Sequence, residues 1–197
     1  MIPFILVCLA VLYIVYKVLV PARRPLTESP KEPVQKELSP GASIVQNAVK
    51  FPPDNRKTTI ALDSIFPSEE PFDESDVQIL SSICECSDVY LLLEAHSDQE
   101  EEQARKRISE NLIKSNITIP SHRFLFYSTE IGKKAMARQL QPHLHIDGEK
   151  VICEAMNPFV KVMVHVTSLT QGAHDSTEKT PWHRISSLSK LVSIGNN

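Results

Sequence analysis

Asp63, Ser128, Thr129, Lys133 or Lys134, and Asp147 each end a short apolar run or follow one closely. If those runs are parallel strands of one open sheet, the set falls at their carboxyl ends, where such sheets hold their ligands. Carboxylates, hydroxyls and an amine gathered in one crevice can bind a polar ligand and exchange protons with it. Other spacings carry less. His143 and His145 alternate along one run and so share a strand face, as two metal ligands can, but no Cys or acid run supplies a third, and no metal is expected. Cys84-x-Cys86 ends a helical pattern with no second pair downstream, which reads as two structural thiols. Asn116-Ile117-Thr118 is a glycosylation sequon, silent if this part of the chain faces the cytosol. Neither G-x-G-x-x-G nor a Walker sequence occurs, so both glycine-built phosphate cradles are missing and no cofactor is expected.

The elements that must position these residues repeat one unit, clearest over residues 120–148. Phe124-Leu125-Phe126-Tyr127 has the length and aromatic content of a buried strand. Ser128-Thr129 offer a hydroxyl to the free amides of a helix, with Glu130 in its first turn. Gly132, Ala135 and Met136 give that helix a small apolar face, and Pro142 stops it. His143-Leu144-His145-Ile146 is the next strand, closed by the turn pair Asp147-Gly148. Strand, helix and strand in this order make a parallel pair with a right-handed crossover. Thr58 to Leu62 and Val89 to Leu93 read as earlier strands, and Val160 to Val166 as a later one. Val77, Leu80 and Ile83 predict a helix, Ala104, Ile108 and Leu112 form the seam of another over Asp98 to Lys114, and Val151 to Met156 a short one. The expected fold is a Rossmann-like α/β sandwich of three layers around a mostly parallel sheet of four or five strands, over residues 57–167.

Appendages flank that domain. Within the expected anchor, residues 1–20, the run Ile2 to Val20 is apolar except for Lys17, and a helix of that run rises roughly 28 Å, enough to cross a hydrocarbon core. Ile2, Phe4, Leu6, Val11, Tyr13, Tyr16 and Val20 are its expected membrane-anchor residues. Arg23, Arg24 and Lys31 follow it, so the positive-inside rule places the N-terminus across the membrane and the remainder in the cytosol. The competing reading, a cleaved signal peptide on a luminal or secreted binding domain, lacks a basic leading region and a small-x-small cleavage site. Residues 21–56, rich in Pro, Lys, Glu and Ser, are expected to form an extended tether in which only Ile44 to Val49 is apolar enough to dock. Residues 168–197 read as a mobile polar tail with Trp182 and a weak Ile185/Leu188/Leu191 pattern. The balance of 21 basic and 24 acidic residues, a net charge of −3, argues against a nucleic-acid binder.

Two resemblances bear on function. The series Asp63, Ser128/Thr129, Lys133 or Lys134, Asp147 is similar in outline to haloacid-dehalogenase-type phosphohydrolases. There the first aspartate is the nucleophile, the hydroxyl and lysine hold the phosphate, and the acids bind magnesium. The likeness breaks at Ile65, where a second acid is needed, and after Asp147, where Gly148 and Glu149 replace the paired acid. An anchored phosphohydrolase using Asp63 is therefore the alternative reading. The closer resemblance lies in Cys86-Ser87-Asp88-Val89-Tyr90-Leu91, Pro120 to Phe126, and above all Arg138-Gln139-Leu140-Gln141-Pro142-His143-Leu144-His145-Ile146-Asp147-Gly148. These runs, in this order over Thr58 to Val166, resemble the peroxin-22 family of peroxisome assembly proteins, most of all its plant-type members. The resemblance implies a non-catalytic adaptor in the peroxisomal membrane whose cytosolic domain docks and activates a ubiquitin-conjugating enzyme, so that the import receptor is ubiquitinated and recycled. It implies no interface residues and does not cover the tail.

Overall fold

Six short runs pair into one sheet in a computed structural model that describes residues 37–66, 73–167 and 180–196. The strands are β1 (Lys57–Ala61), β2 (Asp88–Glu94), β3 (Phe124–Tyr127), β4 (Leu144–Asp147), β5 (Val162–Val166) and β6 (His183–Ile185). They lie in the order β3-β2-β1-β4-β5-β6, every pair parallel. This is the strand order of a doubly wound fold, with its topological switch point between β1 and β4. Continuous apolar strands such as Val89-Tyr90-Leu91-Leu92-Leu93 suit a sheet covered on both faces. Ile60, Leu91, Leu93, Ile146 and Val164 pack into one layer, while Ala61, Leu92 and Met163 pack into the other.

In chain order the helices are α1 (Pro40–Val49), the single turn α2 (Leu62–Ile65), α3 (Glu74–Cys86), α4 (Asp98–Lys114), α5 (Glu130–Leu140) and α6 (Lys150–Met156). The first layer holds α1, α3, α4 and a 3₁₀ stretch, Leu188–Asn196. The second is built on α5 and α6. Local chemistry sets the boundaries. Ser97 accepts from the Glu100 amide at the start of α4, and Thr129 accepts from the Gly132 amide at the start of α5. Gln141 ends α5 in the left-handed region at φ 50°, just before Pro142.

The three-layer parallel sandwich agrees with the sequence reading, with six strands in place of four or five. Two segments depart from it. Within the expected tether, Pro40–Val49 is a helix whose Ala42, Val45 and Val49 are buried against the first layer. Ser39 caps it and Pro40 fits its first position, so this proline starts a helix instead of stiffening an open chain. Within the expected tail, β6 extends the sheet, and Ile185, Leu188, Leu191 and Ile194 join the same core as α1. The compact unit therefore begins at Glu37. The apolar run 2–20 with its expected anchor residues lies outside the described residues, as do 21–36 and 168–179; among the described residues no helix is long and apolar enough to cross a membrane.

Candidate functional site at the sheet switch point

Cross-strand register brings the first two residues of the site together. Thr59 of β1 stands opposite His145 of β4, and its hydroxyl lies 2.6 Å from His145 Nδ1. His145 Nε2 is 3.5 Å from Asp147 Oδ2, two residues on and on the same strand face. Asp147, 0% exposed, receives Lys133 of α5, 1% exposed, at 2.9 Å. The same ammonium reaches the rim through Glu149 at 2.7 Å. Further donors reach Asp147 Oδ1 from the Glu149 amide at 2.8 Å and the Ser64 hydroxyl at 3.0 Å. Burial works against both charges, but each supports the other. Lys133 is held above its ordinary value by Asp147 and Glu149, and Asp147 is held below its own by His145, Lys133 and the Glu149 amide.

Asp63, just past β1, is engaged separately. Its Oδ2 accepts from the Tyr127 hydroxyl and the Glu94 amide, both at 2.7 Å, and its Oδ1 from the Ser64 amide at 2.9 Å. Burial, with Asp63 as acceptor, drives the Tyr127 phenol upward, so Tyr127 stays a donor. Between the two carboxylates the loops after β1 and β4 touch. The Gly148 amide donates to Ser64 Oγ at 2.9 Å, and a Cβ at Gly148 would lie 2.2 Å from the Ser64 carbonyl oxygen. Only glycine permits that approach, which draws the two loops together at the switch point where doubly wound folds hold their ligands.

Of the residues the sequence singles out, Lys133 and Asp147 meet, and Asp63 lies across the same switch point. Lys134 turns outward to Glu130 at 2.6 Å. The buried residues of α5 are Lys133 and Ala137, whereas Ala135 is exposed, so the expected Gly132/Ala135/Met136 face is rotated. Ser128 and Thr129 are exposed after β3, an edge strand separated from β1 by β2, and Thr129 is used as a helix cap. His143 and His145 do not converge: His143 contacts the Val49 carbonyl at 3.2 Å and the Phe51 ring at 5.4 Å. Among the described residues no three His, Cys, Asp or Glu side chains gather as metal ligands. Burial pushes the thiols of Cys84 and Cys86 up to about 12 and about 11, leaving them protonated and unreactive near neutrality. The sequence reading missed Thr59, Ser64, Tyr127 and Glu149. Ser64 and Glu149 flank residues already marked, but Thr59 and Tyr127 look like ordinary strand residues until the register is known.

Residues 52–191 match the family model described as Peroxisome biogenesis protein 22, Haloacid dehydrogenase-like domain. The chain belongs to the peroxisome biogenesis protein 22 family. A curated relative, the Arabidopsis thaliana protein named Peroxisome biogenesis protein 22, is 30% identical over 95 residues, 48% of this chain and 34% of the relative. The chain thus aligns with about a third of that relative's length. The family match takes in β1 to β6 and reaches Leu191, so the peroxisome biogenesis protein 22 domain includes most of the segment read from sequence as a tail. Family membership places the chain among peroxisome biogenesis proteins, on a haloacid dehydrogenase-like fold.

Proposed function

We propose that this chain is a membrane-anchored adaptor without catalytic activity. Its domain docks and activates a ubiquitin-conjugating enzyme at the cytosolic face of the peroxisomal membrane, for ubiquitination and recycling of the import receptor. The observation that carries the non-catalytic half is that the switch-point side chains are paired with one another. Lys133, the one amine there, is neutralised by Asp147 and Glu149. All three Asp63 contacts are donors from the protein itself, and the position two residues on is Ile65. A nucleophilic carboxylate of this type needs a nearby general acid or base, and Ile65 stands where the haloacid-dehalogenase-type pattern places one. The family match supports the peroxisomal half. The apolar run 2–20, followed by Arg23 and Arg24, supports an anchor with the domain in the cytosol.

The test isolates the full-length tagged chain from detergent-solubilised membranes and quantifies co-isolated proteins by mass spectrometry. A ubiquitin-conjugating enzyme at near-equal amount is the expected result, and its absence would overturn the adaptor reading. Asp63→Asn in the same chain should leave that capture unchanged and cost about 1 kcal/mol of stability, through one weakened, partly buried hydrogen bond. If the wild-type chain instead hydrolyses a phosphate ester and Asp63→Asn abolishes it, the phosphohydrolase reading holds.

A further inference from the structure

The corner of the domain where α5 ends presents a cation and an aromatic ring at the surface. Phe159, in the 3₁₀ turn after α6, is 49% exposed. The guanidinium of Arg138, in the last turn of α5, stacks over its ring at 3.9 Å from the centroid. With Ala135, Gln139 and Gln141 these two line a cleft of about 460 Å³. Ala135 gives the cleft a small floor, and Ile131, one turn before it on α5, is 76% exposed.

Cations outnumber acids in the chain segments that form this corner. Arg105, Arg123, Lys133, Lys134 and Lys150 each stand within ion-pair distance of a carboxylate. Among the described residues no carboxylate pairs with Arg138. From Ile131 to Ile146, and again from Asn157 to Thr167, the sequence has no Asp or Glu, in a chain whose net charge is −3. Lys57 adds its ammonium beside the end of α5, bonded to the Leu140 carbonyl at 3.2 Å, and Lys161 is exposed two residues after Phe159. The stacked guanidinium is held in place with donors left over, so a carboxylate gains a charge-assisted bond without ordering a free side chain. Arg beside an exposed aromatic is also the composition of binding hot spots.

We infer that this corner, centred on Arg138 and Phe159 with Ala135 between them and Ile131, is the docking surface for the ubiquitin-conjugating enzyme. The partner segment that fits it presents a carboxylate flanked by apolar side chains, the acid meeting Arg138 and the apolar groups covering Phe159 and Ala135. The inference rests on the adaptor reading and assigns it a face.

The test uses the full-length chain in detergent, comparing wild type with Arg138→Glu, Phe159→Ala and a control, Ile113→Ala, which removes a 70% exposed side chain on α4. Thermal melts of the four proteins check that these exposed substitutions leave the fold intact. Capture of the ubiquitin-conjugating enzyme should fall at least tenfold in Arg138→Glu and in Phe159→Ala, stay unchanged in Ile113→Ala, and weaken for wild type as salt is raised. If wild type captures the enzyme and both corner variants do so equally, the surface is wrong while the adaptor reading stands. If wild type captures none, the adaptor reading fails and the surface with it. If the variants lose self-association and keep the enzyme, the corner is a contact between copies of this chain and the proposal is overturned.

Discussion

Lys133 is a charged side chain that the fold places in its interior, and its partners define what removing it would cost. Asp147 has no exposure, and its one lysine partner, Lys133, is buried with it and also held by Glu149. Lys133→Met should destabilise the domain by roughly 3–5 kcal/mol, because a buried carboxylate is left without its cation. Adding Asp147→Leu should recover much of that loss, read as urea midpoints of the two variants. The same residues set the acid response. Asp147 titrates below its ordinary value in the folded state, so on acidification the unfolded chain takes the proton first. Its contribution is complete above the unfolded value of about 3.9 and is lost as pH falls from there through the folded value. His165 is also depressed, chiefly by burial, and its contribution is lost as pH falls from about 6.5 through its folded value. Urea midpoints should therefore decline in two stages. His165→Gln, which keeps a donor for the Gly148 carbonyl, should flatten the first stage, and Asp147→Asn the second. An unchanged slope between pH 6.5 and pH 4 in His165→Gln would refute the first assignment. Sequence alone could not choose between Lys133 and Lys134, since adjacent lysines differ only in helix phase. Ala135 suggested the wrong phase, whereas Ala137 shares the inward side with Lys133.

β1 to β5 and α3 to α5 were legible because each is long enough for its apolar pattern to show, and several carry their own start or stop signal. Ser97, Thr129 and Pro142 mark boundaries that the structure keeps. The two elements that were missed have weaker local signals and are held by each other. In α1 the prolines of the surrounding segment dominate the composition, although Ser39-Pro40 followed by Ala42, Val45 and Val49 is a capped helix with one apolar face. In the C-terminal segment Ile185, Leu188, Leu191 and Ile194 recur every three residues, the period of a 3₁₀ helix, so a search at 3.6 residues finds little. The two segments meet closely: a Cβ on Gly195 would lie 2.7 Å from Ala48 Cα. Leu191, with no exposure, should cost about 2–5 kcal/mol when cut to Ala. A fragment of residues 55–197 should unfold at lower urea than one of residues 37–197, because it strips α1 from the core that Val45 and Val49 enter. Equal midpoints would mean that α1 adds nothing to the stability of the domain.

For the whole molecule, the proposed function depends on position more than on any reacting group. An adaptor accelerates its partner by holding it where the substrate is, so its effect scales with the local concentration that the linker allows. Fully extended, residues 21–36 reach at most about 55 Å, which would confine a docked enzyme close to the membrane surface. Deleting residues 2–20 separates binding from placement. The shortened chain should capture the ubiquitin-conjugating enzyme as well as wild type in solution, because the compact unit begins at Glu37. In fractionated cells the enzyme should then leave the membrane pellet, and receptor ubiquitination should fall even though the complex forms. Asn116, exposed just after α4, reports the side of the membrane in the same experiment. With the domain in the cytosol its sequon stays unmodified, and endoglycosidase leaves the electrophoretic mobility of the full-length chain unchanged. A glycan at Asn116 would put the domain on the luminal side, out of reach of any cytosolic ubiquitin-conjugating enzyme, and would end the adaptor reading however tightly the two proteins bound in detergent.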